Sequence, residues 1–100
     1  MKKYLLGVGV AQDLDDVWTY IAQDDIDAAD RWIEKLFDAF EAIGHTPGIG
    51  HKREDLTLYP VLFWPVGSYL IVYRAERGSI EIVAVTQGAR DIPAFLRQRS

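Results

Sequence analysis

Hydrophobic positions along the chain fall into two helical stretches and then a series of extended runs. From Ala11 to Gln23, Leu14, Val17, Trp18 and Ile21 recur at i, i+3, i+4 and i+7, one face of a helix. Asp13, Asp15 and Asp16 fall in its first turns, where carboxylates favour the helix dipole. Asp24-Asp25 breaks that helix and offers an N-cap for a second one reaching about Ile43. There Ala29, Ile33, Leu36, Phe40 and Ile43 alternate by four and three, a seam that packs on another helix, and Trp32 and Phe37 widen it. Gly44 is the expected C′ cap, and Pro47-Gly48 stops the helix. So short a connection predicts an antiparallel helix hairpin.

The extended runs are Tyr4–Val10, loosened by Gly7 and Gly9, then Leu58–Val66, Tyr69–Glu76 and Ser79–Gln87. Gly67-Ser68 and Arg77-Gly78 separate the last three by two residues each, which predicts an antiparallel meander. Pro60 and Pro65 place its first strand at an edge or break it. Thr46 to Leu56 reads as a loop, and Pro93 opens a short helix from Ala94 to Arg99. The predicted class is α+β, one domain over 1–100: an N-terminal strand, an antiparallel helix hairpin, an antiparallel three-stranded meander and a short C-terminal helix.

The meander strands are apolar on both faces. Tyr69, Ile71 and Tyr73 alternate with Leu70 and Val72, and Ile80, Ile82 and Ala84 with Val83 and Val85. A helix hairpin covers one face, and the C-terminal segment looks too short for the other. The expectation is a strongly curled sheet or a second chain over the free face.

Composition narrows the chemistry. The 100 residues are 49% hydrophobic and 26% charged, which is globular. With no cysteine there is no disulfide, thiolate nucleophile or thiolate-bound zinc. The only histidines, His45 and His51, are too few for a three-histidine metal site, so no metal or other cofactor is expected. The net charge of −4 disfavours binding nucleic acid through bulk charge. It is unevenly spread: residues 1–50 carry ten acidic and four basic side chains, residues 51–100 five and seven. No apolar run approaches the roughly 20 residues of a membrane span, and Asp13 follows Leu5-Leu6 too soon for a signal peptide. A soluble cytoplasmic protein is expected.

Five segments, in order, resemble the ParE/RelE toxin superfamily. Asp13-Leu14-Asp15-Asp16-Val17-Trp18-Thr19-Tyr20-Ile21 looks like its first-helix signature, and Ala28-Ala29-Asp30-Arg31-Trp32-Ile33 like its second helix. Pro47-Gly48-Ile49-Gly50, followed by His51-Lys52-Arg53-Glu54-Asp55-Leu56, resembles its Pro-x-x-Gly loop and charged run. Gly67-Ser68-Tyr69-Leu70-Ile71-Val72-Tyr73-Arg74 resembles its central strand, and Gly88-Ala89-Arg90-Asp91-Ile92-Pro93 the closing motif of the ParE branch.

The resemblance implies the toxin of a type II toxin–antitoxin pair, of the kind associated with plasmid stabilisation. A small antitoxin would neutralise it by wrapping it with a C-terminal segment. Members of the ParE branch poison DNA gyrase without enzymatic chemistry. The RelE branch cleaves messenger RNA on the ribosome using a late basic, His or Tyr residue. Here Gln87 stands where the superfamily often has His, and no His, Lys or Tyr follows Arg74. Arginine is a poor general base. The ParE branch is therefore favoured, with no catalytic residue, no direct nucleic-acid binding and no membrane association. A ribosome-dependent ribonuclease and a non-toxic interaction module remain the alternatives.

Seven residues are candidate contacts with target or antitoxin: His51, Lys52, Arg53, Trp64, Arg74, Arg90 and Arg97. Several have a plainer reading. His51-Lys52-Arg53 can be a solvated charge run, and Arg74 can pair with Glu81 across the hairpin rather than hold a phosphate. Arg90-Asp91 can pin the tail. Trp18 and Trp32 read as core, and Trp64 as an edge residue open to a partner.

Overall fold

A computed structural model describes residues 2–76 and 78–99. In chain order the elements are β1 (Leu5–Leu6), α1 (Val10–Ala22), α2 (Ile26–His45), a 3-10 turn (Pro47–Ile49), β2 (Leu62–Val66), β3 (Tyr69–Glu76), β4 (Ser79–Gln87) and α3 (Ile92–Arg99). The sheet order is β1-β4-β3-β2, antiparallel across the meander, with β1 parallel to β4 at the edge. The α+β architecture is the expected one.

Element boundaries follow local chemistry. Asp25 caps α2, its carboxylate accepting the Ala28 N–H at 3.0 Å. The first strand is shorter than the expected Tyr4–Val10. Gly9 adopts φ 90°, open to glycine but costly for other residues, and turns the chain directly into α1 with Val10 already helical. The Leu58–Val66 run likewise shrinks to Leu62–Val66. Thr57 turns back on Arg53, and Pro60, which has no N–H to give a ladder, lies outside the strand. Pro65 is tolerated because β2 is an edge. Gly44 is not a C′ cap: α2 runs on through His45. A Cβ on Gly44 would stand 3.0–3.2 Å from Lys3, so the glycine lets the N-terminal segment pass closely. At the second hairpin Gly78 takes φ 80°; Arg77 lies outside the described residues.

Both sheet faces are covered by the chain itself. Leu14, Val17, Leu36, Phe40 and Ile43 from the hairpin pack on Ile71, Tyr73, Ile80 and Ile82. Against expectation, α3 and the segment before β2 cover the other face. Ile92 and Leu96, with Val61, close over Phe63, Leu70, Val72 and Ala84. The register shifts between Val72 and Tyr73, so Val72 faces Ala84 and Tyr73 faces Ile82. That shift moves Ala84 to the α3 side and Val85 to the hairpin side, opposite to strict alternation.

Tyr73 ties the sheet to the 3-10 turn. Fully buried, its hydroxyl donates to the Pro47 carbonyl at 2.6 Å and accepts the Gly50 N–H at 2.8 Å. Tyr73→Phe strands both backbone groups in a part-buried setting. It should cost about 1–3 kcal/mol, read as a lower midpoint in urea with an unchanged m-value.

Candidate functional site

The seven candidate residues do not converge. His51 bridges to Phe63 beside β2, its ring stacked against Trp64 with centroids 6.4 Å apart. Lys52 and Arg53 are exposed, and Arg53 forms a two-pronged pair with Asp55 at 2.8 and 3.0 Å. That pair holds the Asp55 carboxyl below the usual aspartate value. Trp64 is half-buried on the β2 edge, part of its ring against the hairpin-side core. These four lie toward one edge of the sheet.

Arg74 lies on β3, where it pairs with Glu81 directly across the hairpin and with Glu76 at 3.5 Å. The cross-strand reading of this arginine holds. Arg90 sits over the Phe95 ring at 4.8 Å and lines a cavity of about 130 Å³ with Asp16, Tyr20 and Thr86. Its neighbour Asp91 caps α3, accepting the Ala94 N–H at 3.1 Å. Arg97 is exposed on α3. Among the described residues, no cluster of three or more His, Cys, Asp or Glu side chains could hold a metal.

The two helical tryptophans differ. Trp32 packs edge-on to Tyr69 with centroids 5.4 Å apart, as a core residue would. Trp18 is exposed instead, its indole N–H donating to Asp30 at 2.8 Å and linking α1 to α2. A tryptophan beside the apolar stripe with a carboxylate in reach can leave the core without losing its hydrogen bond.

The strongest electrostatic feature escapes the sequence patterns. Asp13, assigned above to the helix dipole, is buried and points at the free side of β4. One oxygen accepts the Val85 N–H at 3.0 Å; the other accepts Arg99 from α3 at 2.5 Å. Arg99 also donates to the carbonyls of Val8 and Val83 at 3.0 and 3.3 Å and lies over Phe95. Where β1 ends, these two side chains take the place of a neighbouring strand along β4. Burial pushes the Asp13 carboxyl above the ordinary aspartate value, outweighing the Val85 and Arg99 hydrogen bonds that pull it down. Gly9 belongs to the same cluster, since a Cβ there would run into the Arg99 guanidinium. Its only trace in sequence is a glycine four residues before an aspartate.

Beside this cluster a groove follows the α3 side of the sheet. Two adjoining cavities of about 260 Å³ each share Val8, Arg74 and Glu81; one continues to Leu5 and Leu6, the other to Tyr59 and Leu96. Val8 is 93% exposed and Leu5 67%. The groove carries apolar side chains and a mutually paired Arg74–Glu81, an arrangement suited to contact.

Comparison with known proteins agrees with this architecture. The family model described as "ParE toxin of type II toxin-antitoxin system, parDE" matches residues 5–92. The chain is 31% identical over 97 residues to Toxin ParE1 of Caulobacter vibrioides, covering 96% of this chain and 99% of that protein. It superposes with a TM-score of 0.71 on a chain of the chromosomal ParDE TA system from P. aeruginosa, at 14% identity, covering 87% of this chain and 96% of that one. With the family pattern running from β1 into α3 and a relative matched along nearly its whole length, the chain belongs to the ParE toxin family of type II toxin–antitoxin systems.

Proposed function

We propose that this chain is a toxin that acts by binding DNA gyrase in the cytoplasm, without enzymatic chemistry, and that a cognate antitoxin holds it inactive. The observation that carries the reading is the family match over residues 5–92. The disposition of charge supports it. Cleaving RNA through its 2′-hydroxyl needs one group to take that proton and another to protonate the leaving oxygen. Arg74 is engaged by two carboxylates, Arg53 by Asp55 and Arg99 by Asp13, and arginine holds its proton in any case. His51 lies beside β2, while Arg74 lines the groove beside β1. Among the described residues, no helix is long and apolar enough to cross a membrane.

The test is direct. Purified chain should block supercoiling by gyrase or trap its DNA cleavage complexes, and induction should trigger the DNA-damage response. His51→Ala should leave toxicity intact. Normal supercoiling at large toxin excess would remove gyrase as the target. Codon-positioned messenger RNA cuts that vanish in His51→Ala would install the ribonuclease reading instead.

A further inference from the structure

We propose that Asp13 and Arg99 form a lock that keeps the free edge of β4 from pairing with the same edge of a second copy of this chain. The first observation is where cover along β4 stops. β1 pairs with Glu81 and Ile82, and the Gly7 N–H reaches the Ile82 carbonyl at 2.8 Å. From Val83 to Gln87 no strand follows on that side among the described residues. The register with β3 passes there from Ile82 to Ala84 and leaves Val83 without an opposite residue, a shift of the kind that bends and twists a strand. Arg99 and Asp13 then occupy the edge in turn, on the Val83 carbonyl and the Val85 N–H. An ion pair joins the two side chains, and both are largely buried. Val17 on α1 and Phe95 on α3 flank Val85 and Thr86. Arg99 holds the last turn of α3 across this gap, so its release also gives the strand room.

The second observation is what the lock covers. Ile82-Val83-Ala84-Val85-Thr86-Gln87 has no charge, proline or glycine and is rich in β-branched residues, the composition that pairs most readily with another strand. The outer strands are closed by other means. On β2, His51 takes both the N–H and the carbonyl of Phe63, at 2.8 and 2.9 Å, and Pro65 has no N–H to offer. β1 is two residues long. At β4 the Asp13–Arg99 pair stands in for these devices. The occupant that fits the opened edge is the same edge of another copy. Two such segments, antiparallel about a two-fold axis, meet with no charge between them, and each supplies the groups the other lacks. In the intact chain an incoming strand has to displace Asp13 and Arg99 first, which leaves buried charges without partners.

The experiment measures solution mass and amide exchange of the full chain over a range of concentrations. Asp13→Ala combined with Arg99→Ala removes the lock and leaves neither charge alone. It should dimerise at concentrations roughly tenfold or more below any at which the wild type does. In that dimer, exchange at residues 83–87 should slow as concentration rises, although the Val85 N–H has lost its carboxylate. Adding Val83→Lys, which puts a charge on the pairing edge, should restore the mass of the monomer. Tyr73→Phe, which loosens the fold away from this edge, should keep the wild-type mass. A folded double variant that stays monomeric overturns the proposal. So does association without slowing at residues 83–87, or equal association by Tyr73→Phe. If the double variant fails to fold, Arg99→Gln decides. It keeps Asp13 on Val85 and opens the edge at Val83, and wild-type mass and exchange in that variant overturn the proposal as well.

Discussion

Asp13→Ala should destabilise the chain by about 3 kcal/mol, the low end of what is lost when one member of a buried ion pair is removed. Two groups are abandoned together: the Arg99 guanidinium, which stays mostly shielded beside Val8 and Val83, and the Val85 N–H on β4. For a domain of 100 residues that corresponds to a thermal midpoint lower by roughly 12–24 °C, measured by calorimetry. A drop under a few degrees would mean that water replaces the carboxylate without cost. The pH dependence has a definite sign. Burial raises the folded-state pKa of Asp13, so the folded chain holds that proton more tightly than the unfolded one. The stability associated with this group is fully present below the unfolded pKa and is lost as pH rises through the folded one. Asp13→Asn, which keeps an acceptor for Val85 but never ionises, should therefore gain on the wild type as pH rises through that window.

Leu96→Asp should be at least as damaging. Leu96 is buried on α3 against the sheet face that also carries Val72 and Ala84. Truncating such a leucine to alanine costs about 2–5 kcal/mol, and a carboxylate adds the desolvation of a charge with no partner. The expected readout is a chain that binds a hydrophobic dye and aggregates, because Phe63, Leu70 and Val72 lose their cover. Retention of the wild-type midpoint would show that α3 contributes little to the second face. Leu58→Asp is the control, since Leu58 is 88% exposed and its replacement should change stability by no more than about 0.5 kcal/mol.

The contrast between legible and illegible features is physical. The helix hairpin could be read because its stripes are long and periodic, and the meander because two-residue turns constrain its strands. The resemblance carried by Gly88-Ala89-Arg90-Asp91-Ile92-Pro93 pointed to the family that residues 5–92 match. The register shift at Val72/Tyr73 was hidden because every residue around it is apolar, so swapping faces leaves the pattern unchanged. The cover supplied by α3 was underestimated for a related reason. A helix of eight residues has too little length to display a period, yet Ile92 and Leu96, four apart, suffice to seal a narrow sheet. Of the candidate contacts, the Arg74–Glu81 pairing followed from hairpin register alone. The Asp13–Arg99 pair could not, since residues far apart in sequence carry no local signal of meeting.

That separation shapes how the protein comes into being. The hairpin of α1 and α2 is complete early in synthesis, but β4, which β1 must pair with, begins only 34 residues beyond its end. The carboxylate of Asp13 waits longer still, until Arg99 has been made. Until then the free side of β4 has no plug. Closure by such distant contacts comes late, since loop entropy must be overcome before those contacts can reward it. A nascent chain that has not yet reached Arg99 therefore lacks the pair that closes the free side of β4.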